Sequence, residues 1–145
     1  MIYTSLTRKA LQLMYAAHHG QVDKAGVPYC FHPYEVASHC TSELSVCVAL
    51  LHDVVEDTPT TFERLSLEFP PEVVQAVKLL TYEAGIPYME YIKTVAQDPL
   101  DREVKIQDLR HNMRHDRVDT VTPKDIQRYE KYSQALLYLQ GIVSN

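Results

Sequence analysis

The chain has 145 residues, a formal net charge of −5, 46% hydrophobic residues and few glycines, which predicts one soluble globular domain over residues 1–145. The negative charge argues against non-specific binding of nucleic acid, and no apolar run reaches the roughly 18 residues of a membrane span. The three cysteines form no C-x-x-C pair, which favours reduced thiols and a cytoplasmic protein.

Apolar residues recur with helical spacing along the chain, and no segment alternates with a period of two, so we predict an all-α fold. Pro33 suits the first position of the second helix, which places His32 at the start of that helix. In chain order, the predicted helices cover residues 4–19, 34–43, 45–56, 60–69, 72–81, 88–97 and 98–115, with a last helix from Thr122 or Pro123 onwards.

The segment Leu50–Thr58 lies in the predicted central helix and carries an unusual polar face. At about 100° per residue, its histidine and three carboxylates lie on one side and the leucines and valines on the other. No Lys or Arg stands one helical turn away, so the like charges cost stability unless a cation lies among them. A solvated acidic face is the alternative, but solvated faces usually mix both signs, and a metal centre fits better.

Further metal-binding side chains occur in other predicted helices. Two imidazoles and two carboxylates could meet in a mixed nitrogen and oxygen site, namely His32, His52, Asp53 and Asp108. Such a site suits Mn, Fe or Zn and leaves positions for water, whose pKa the cation lowers. Glu56 and Asp57 then remain free for proton transfer.

One stretch concentrates positive charge after residue 100. It is either a solvated helix face or, opposite an acidic metal site, a surface that holds phosphates. Its members are Arg102, Lys105, Arg110, Arg114 and Arg117, with His111 and His115 among them.

The order of several short blocks resembles the HD-type hydrolases of the RelA/SpoT family, in particular the stand-alone small alarmone hydrolases. The similarity covers nearly the whole chain. The blocks are Ala17–Gln21, Lys24–Tyr29 leading to His32 and Pro33, Ala49–Thr58, Thr61, Lys105, Asp108 and His111–Met113.

The resemblance implies a helical bundle of the HD type and removal of pyrophosphate from the 3′ position of guanosine tetra- or pentaphosphate, leaving GDP or GTP. Only the hydrolase part is matched, so the implied activity is degradation. The implied ligands of one manganese ion are His32, His52, Asp53 and Asp108. The implied acid/base pair is Glu56 and Asp57, and the implied nucleotide contacts are Lys24 and Asn112.

Two positions depart from the family pattern. Asp23 stands where long members commonly carry an arginine, and it either faces the substrate or pairs with Lys24 or another basic residue. Leu109 and Arg110 follow Asp108, whereas long members usually place the arginine directly after the aspartate.

These departures leave other functions open. The same chemistry could act on another nucleotide, such as NADPH or a nucleoside phosphate, or the fold could be a non-catalytic nucleotide sensor or a structural interaction domain. The expected partner is a small nucleotide rather than nucleic acid or a membrane, and a homo-oligomer is compatible with the sequence.

Overall fold

The computed structural model describes residues 1–144, and within them the chain forms helices and no strand, so the all-α prediction is confirmed. An isolated bridge joins Val22 and Pro28, and no helix in this part of the chain is long and apolar enough to cross a bilayer. The helices are α1 Ser5–Ala17, α2 Phe31–Ser38, α3 Glu43–Leu51, α4 Val54–Asp57, α5 Phe62–Glu68, α6 Pro71–Leu80, α7 Tyr88–Val95, α8 Pro99–Asn112 and α9 Pro123–Ser144, with a 3-10 turn at His115–Arg117.

Helix α3 is the central element of the bundle. Every residue from Ser45 to Leu51 is buried, and α1, α2, α6 and α8 pack around the helix. A helix that is apolar on all sides is stable only when neighbours cover it completely. The C-terminal end of α3 therefore delivers the next two residues, His52 and Asp53, into the interior of the bundle.

The predicted continuous helix over residues 45–56 is wrong, because α3 ends at Leu51 and α4 begins at Val54. The carbonyl of Ala49, which an uninterrupted helix would offer to the amide of Asp53, accepts a hydrogen bond from Nδ1 of His52 at 2.5 Å. His52 therefore lies at the end of a helix and not in its middle.

Helix α2 also differs from its predicted bounds. A turn in which the amide of His32 donates to the carbonyl of Tyr29, at 3.0 Å, winds the backbone before Pro33 is reached. Pro33 is therefore the third residue of the helix rather than the first, a position still within the first turn where no amide is needed. The helix ends at Ser38, and Ser42 then caps α3 with its side chain.

Candidate functional site

The four predicted metal ligands lie together where α2, the step between α3 and α4, and α8 meet. Nε2 of His52 is 3.0 Å from Oδ2 of Asp53, and Nε2 of His32 is 3.0 Å from Oδ1 of Asp108. The remaining distances are 3.5 Å from His52 to Asp108 and 3.8 Å from His32 to Asp53. We call these four residues the ligand cluster; each side chain is at most 16% exposed.

The protonation of His52 tests whether the cluster fits a cation. A carbonyl oxygen can only accept, so the contact with Ala49 places a proton on Nδ1. In the neutral ring Nε2 then carries a lone pair; it is buried, has no aligned hydrogen-bond partner and faces the carboxylate of Asp53. A cation between these groups turns the repulsion into coordination, so the residues present fit a divalent metal ion.

The surrounding charges agree with that conclusion. Burial lowers the pKa of His52, but Asp53 and Asp108 outweigh burial and hold this pKa well above its usual value. The cluster therefore has a negative potential that favours a positive charge at its centre, either a proton on Nε2 of His52 or, in its place, a metal ion.

Neighbouring side chains hold the two carboxylates in place. Lys105 donates to Oδ2 of Asp108 at 2.8 Å, and Asn112 donates to Oδ1 of the same residue at 3.0 Å. The hydroxyl of Tyr29 donates to Oδ2 of Asp53 at 2.5 Å. Burial raises the pKa of Asp108, but Lys105 and the histidines hold it well below its usual value, so this carboxylate stays ionised.

The predicted acid/base pair, Glu56 and Asp57, lies on α4 next to the ligand cluster. Both side chains are exposed. Burial and then the negative charge of Asp53 raise the pKa of each of them, which makes a proton easier to hold near neutral pH. The backbone carbonyl of Asp57 also accepts from Nε2 of Gln21 at 2.9 Å.

Two cavities meet beside the ligand cluster. The metal-side cavity, about 240 Å³, is lined by His52, Asp53, Glu56, Lys105, Asp108 and several tyrosines. The basic cavity, about 280 Å³, is lined by Lys24, Arg114, Arg117, Arg128 and Asp125, among others. Asn112 and Tyr132 line both, so a ligand with two polar ends could occupy the two cavities together.

Lys24, a predicted nucleotide contact, lines the basic cavity but already has a carboxylate partner. Its Nζ donates to Oδ1 of Asp125 at 2.6 Å, and Arg128 donates to the same oxygen. Asp125 is 3% exposed and accepts from the amide of Thr122 at 3.0 Å. One buried carboxylate thus neutralises part of the charge that would meet a phosphate.

The side chain of Asp23 stabilises the loop that contains it. Its Oδ1 accepts from the amides of Ala25 at 2.9 Å and Val27 at 3.0 Å, an arrangement typical of an Asx turn. Its Oδ2 lies 3.7 Å from Arg117. Of the two alternatives for this residue, the geometry favours pairing within the protein.

The predicted basic stretch does not form one surface. Lys105 belongs to the metal-side cavity, Arg114 and Arg117 line the basic cavity, and Arg110 is exposed. Leu109, in the family's usual arginine position, is fully buried in the core. The exchanged order of Leu109 and Arg110 therefore places the apolar residue inside and the charge outside.

Sequence reasoning missed several groups that contact the candidate site. The second block contained Tyr29, and the basic stretch contained His111, but neither had a local signal for its partner. Residues of α9 had no signal, because their partners lie far away in sequence. The missed residues are Tyr29, His111, Asp125, Arg128 and Tyr132.

Comparisons with known proteins agree with the fold. A family model described as HD domain matches residues 10–122. A solved structure of a metazoan ortholog of SpoT, which hydrolyzes ppGpp and plays a role in starvation responses, has a TM-score of 0.80 and 25% identity, covering 96% of this chain and 87% of that one.

Curated relatives include the guanosine-3′,5′-bis(diphosphate) 3′-pyrophosphohydrolase of Haemophilus influenzae, 39% identical over 68% of this chain, and a probable GTP pyrophosphokinase of Mycobacterium leprae, 35% identical over 76% of it. This chain spans 17% and 16% of those relatives, respectively. The family match from residue 10 to residue 122 encloses the whole ligand cluster, and the chain belongs to the HD domain family.

Proposed function

We propose that this protein is a metal-dependent phosphohydrolase that removes the 3′-pyrophosphate from guanosine tetra- or pentaphosphate and leaves GDP or GTP. The observation that carries the proposal is the ligand cluster, in which two buried imidazoles each lie within 4 Å of two carboxylates. The adjoining carboxylates of Glu56 and Asp57 supply groups for proton transfer.

The relatives support the choice of substrate. The Haemophilus influenzae relative is named for 3′-pyrophosphohydrolysis of guanosine-3′,5′-bis(diphosphate), and the metazoan ortholog of SpoT hydrolyzes ppGpp. The name of the Mycobacterium leprae relative refers to pyrophosphate transfer, but this chain matches only 16% of that protein. The ligand cluster lies inside the family match, so hydrolysis is the activity we carry over.

For the metal we propose Mn²⁺, held by His32, His52, Asp53 and Asp108. Two imidazoles and two carboxylates form a mixed donor set that suits Mn²⁺ and also admits other divalent transition metals. When bound, the ion would act as a Lewis acid that polarises a phosphate oxygen and lowers the pKa of a water molecule.

The acidic residues of α4 transfer the protons during hydrolysis. The oxygen of a water molecule attacks the phosphorus next to the ribose, the bond from that phosphorus to O3′ breaks, and pyrophosphate leaves. Glu56, which lines the metal-side cavity, accepts the proton of the attacking water, and the 3′-oxygen takes up a proton through Glu56 or Asp57. The raised pKa of each carboxyl suits both steps.

The two cavities suggest how the nucleotide lies. The 3′-diphosphate would occupy the metal-side cavity, whose cations are Lys105 and Lys131. The rest of the nucleotide would reach past Asn112 into the basic cavity, where Lys24 contacts it after exchanging its partner Asp125. Positioning both ends fixes the reacting phosphate relative to the ligand cluster.

A second candidate is the same hydrolysis on another phosphorylated nucleotide, such as NADPH. The observation that favours it is Asp125, which neutralises Lys24 and Arg128 in the basic cavity. A cavity of reduced positive charge discriminates less strongly in favour of highly phosphorylated ligands.

The test is a hydrolysis assay of the full chain with Mn²⁺ on guanosine tetraphosphate, NADPH and GTP, with the products identified by chromatography. We expect GDP and pyrophosphate from guanosine tetraphosphate. Asp108→Ala should lose both the metal and the activity, because the ligand on α8 closes the cluster. Phosphate release from NADPH alone would overturn the substrate, and an unchanged metal content in Asp108→Ala would remove Asp108 from the ligands.

A further inference from the structure

One ligand-cluster residue has both ring nitrogens engaged by side chains. Nε2 of His32 faces Asp108 at 3.0 Å, and its Nδ1 lies 2.7 Å from Nδ1 of His111. The two imidazole rings are nearly parallel, with an interplanar angle of 17° and centroids 5.0 Å apart. His32 is 4% exposed, so water does not replace this contact freely.

The chemistry of imidazole fixes the direction of this hydrogen bond. To coordinate a cation, Nε2 of His32 must present a lone pair, so the proton of the neutral ring lies on Nδ1. That N–H donates to Nδ1 of His111, which must then be unprotonated. Two protonated nitrogens at 2.7 Å would repel each other, and so would two lone pairs.

The geometry does not make His111 a further ligand of the same ion. Its Nδ1 contacts the nitrogen of His32 that points away from the ligand cluster. His32 would therefore bind the ion directly, and His111 would act on the ion only through its contact with His32.

The position of His111 is itself well supported. It follows Asp108 by three residues on α8, so both side chains lie on the same face of the helix. Its backbone carbonyl accepts from Nη1 of Arg117 at 3.1 Å, and the same nitrogen donates to Oδ1 of Asn112 at 3.3 Å. The last turn of α8 thus presents one ligand and the group that orients another.

We propose that His111 is a positioning residue that fixes the tautomer and the ring orientation of His32 by accepting a hydrogen bond from Nδ1. The proposal rests on the metal site of the proposed function. His52 has the same kind of support from the backbone carbonyl of Ala49, which no substitution removes. The support of His32 comes from a side chain and can therefore be tested by mutation.

The experiment measures binding of Mn²⁺ alone to chelator-stripped full-length protein by calorimetric titration. His111→Leu removes the acceptor, and we expect its dissociation constant to rise about 10- to 100-fold, the usual effect of losing an outer partner of a metal-bound histidine. His111→Asn keeps an oxygen acceptor near the position of Nδ1 and should restore binding to within a few-fold of wild type. His39→Leu, which changes an exposed histidine paired with Glu35, is the matched control and should bind as wild type does.

Wild-type affinity in His111→Leu, or equal weakening in His111→Leu and His111→Asn, would overturn the proposal. Nitrogen-15 NMR of the Zn²⁺-loaded wild-type protein gives a second measurement that needs no variant. We expect a proton on Nδ1 of His32 and none on Nδ1 of His111, and the reverse arrangement would contradict the proposal. Because neither measurement uses a nucleotide, failure of the hydrolysis assay does not affect them.

Discussion

In the ligand cluster, outer partners hold the coordinating side chains, and the ligand atoms still face one another, even where one of these oxygens also accepts a hydrogen bond. In the basic cavity, carboxylates hold the cations by the same atoms that would meet a phosphate. Asp108 accepts from Lys105 with Oδ2, and its Oδ1, which also accepts from Asn112, faces Nε2 of His32. Lys24 gives its only charged group to Asp125. The ligand cluster is therefore arranged before a metal ion binds, whereas the cations of the basic cavity have to exchange partners when a nucleotide binds.

The difference has an energetic consequence. An arranged site pays little reorganisation on binding, so its affinity reflects the contacts it makes. A site that must break an internal ion pair gains only the difference between the new and the old contacts. We therefore expect substitutions in or beside the ligand cluster to change turnover strongly and substitutions in the basic cavity to change KM modestly.

The largest expected effect sharpens the metal side of this comparison. Glu56→Gln removes the proton acceptor without touching the ligand cluster, so kcat should fall roughly 100-fold or more while Mn²⁺ affinity stays unchanged. Steady-state kinetics and metal titration measure the two quantities. Glu63→Gln changes an exposed glutamate on α5 and serves as the control. Turnover equal to wild type would move the proton transfer to Asp57.

An intermediate effect addresses the basic side. Asp125→Asn keeps an acceptor for the Thr122 amide but releases Lys24 and Arg128. KM for guanosine tetraphosphate should fall about three- to tenfold at low salt, with kcat nearly unchanged, because the cavity becomes more positive. The difference should shrink as ionic strength rises.

Asp116→Asn is the comparison for this variant. Asp116 pairs with Arg114 at 2.7 Å, but its side chain is 66% exposed, so solvent already screens the pair. KM should therefore change less than in Asp125→Asn. A rise of KM in Asp125→Asn would show that the carboxylate orients Lys24 for the substrate rather than competing with it.

The last expected effect is on stability and not on catalysis, and it concerns a carboxyl group that belongs to neither region. Asp101 is fully buried on α8, and neither of its oxygens has a hydrogen-bond partner. Burial and then the charge of Asp98 raise the pKa of Asp101 to about 9. The folded protein therefore keeps this proton at pH values where the unfolded chain has lost it, so the contribution of Asp101 to stability falls as pH rises from about 4 to about 9.

Asp101→Asn removes this dependence. The free energy of unfolding of the variant should match wild type near pH 4 and exceed it by roughly 1–3 kcal/mol near pH 8. Urea denaturation across this pH range measures the difference, and Glu90→Gln, which changes an exposed glutamate on α7, is the control. A difference that does not change with pH would show that Asp101 is ionised in the folded protein.

Sequence reasoning succeeded where the signal was local or repeated. Helical spacing predicted the all-α class. The residue types that bind metals predicted the four members of the ligand cluster, and the fold brings each histidine of the cluster within 4 Å of its carboxylates. The step at His52 was missed because apolar spacing continues across it, and only the bond from His52 to the Ala49 carbonyl reveals the break. The pairing of Lys24 with Asp125 could not be predicted, because the two residues are 101 positions apart and the sequence around each contains no signal for the other.

The position of Asp125 on α9 also bears on how the two parts of the site assemble. The ligand cluster is complete once α2, α3, α4 and α8 have packed, and none of its members comes from α9. The basic cavity needs Asp125 and Arg128 from α9 as well as Lys24 from the first loop. The ligand cluster can therefore form without α9, whereas the nucleotide cavity cannot exist until α9 has docked.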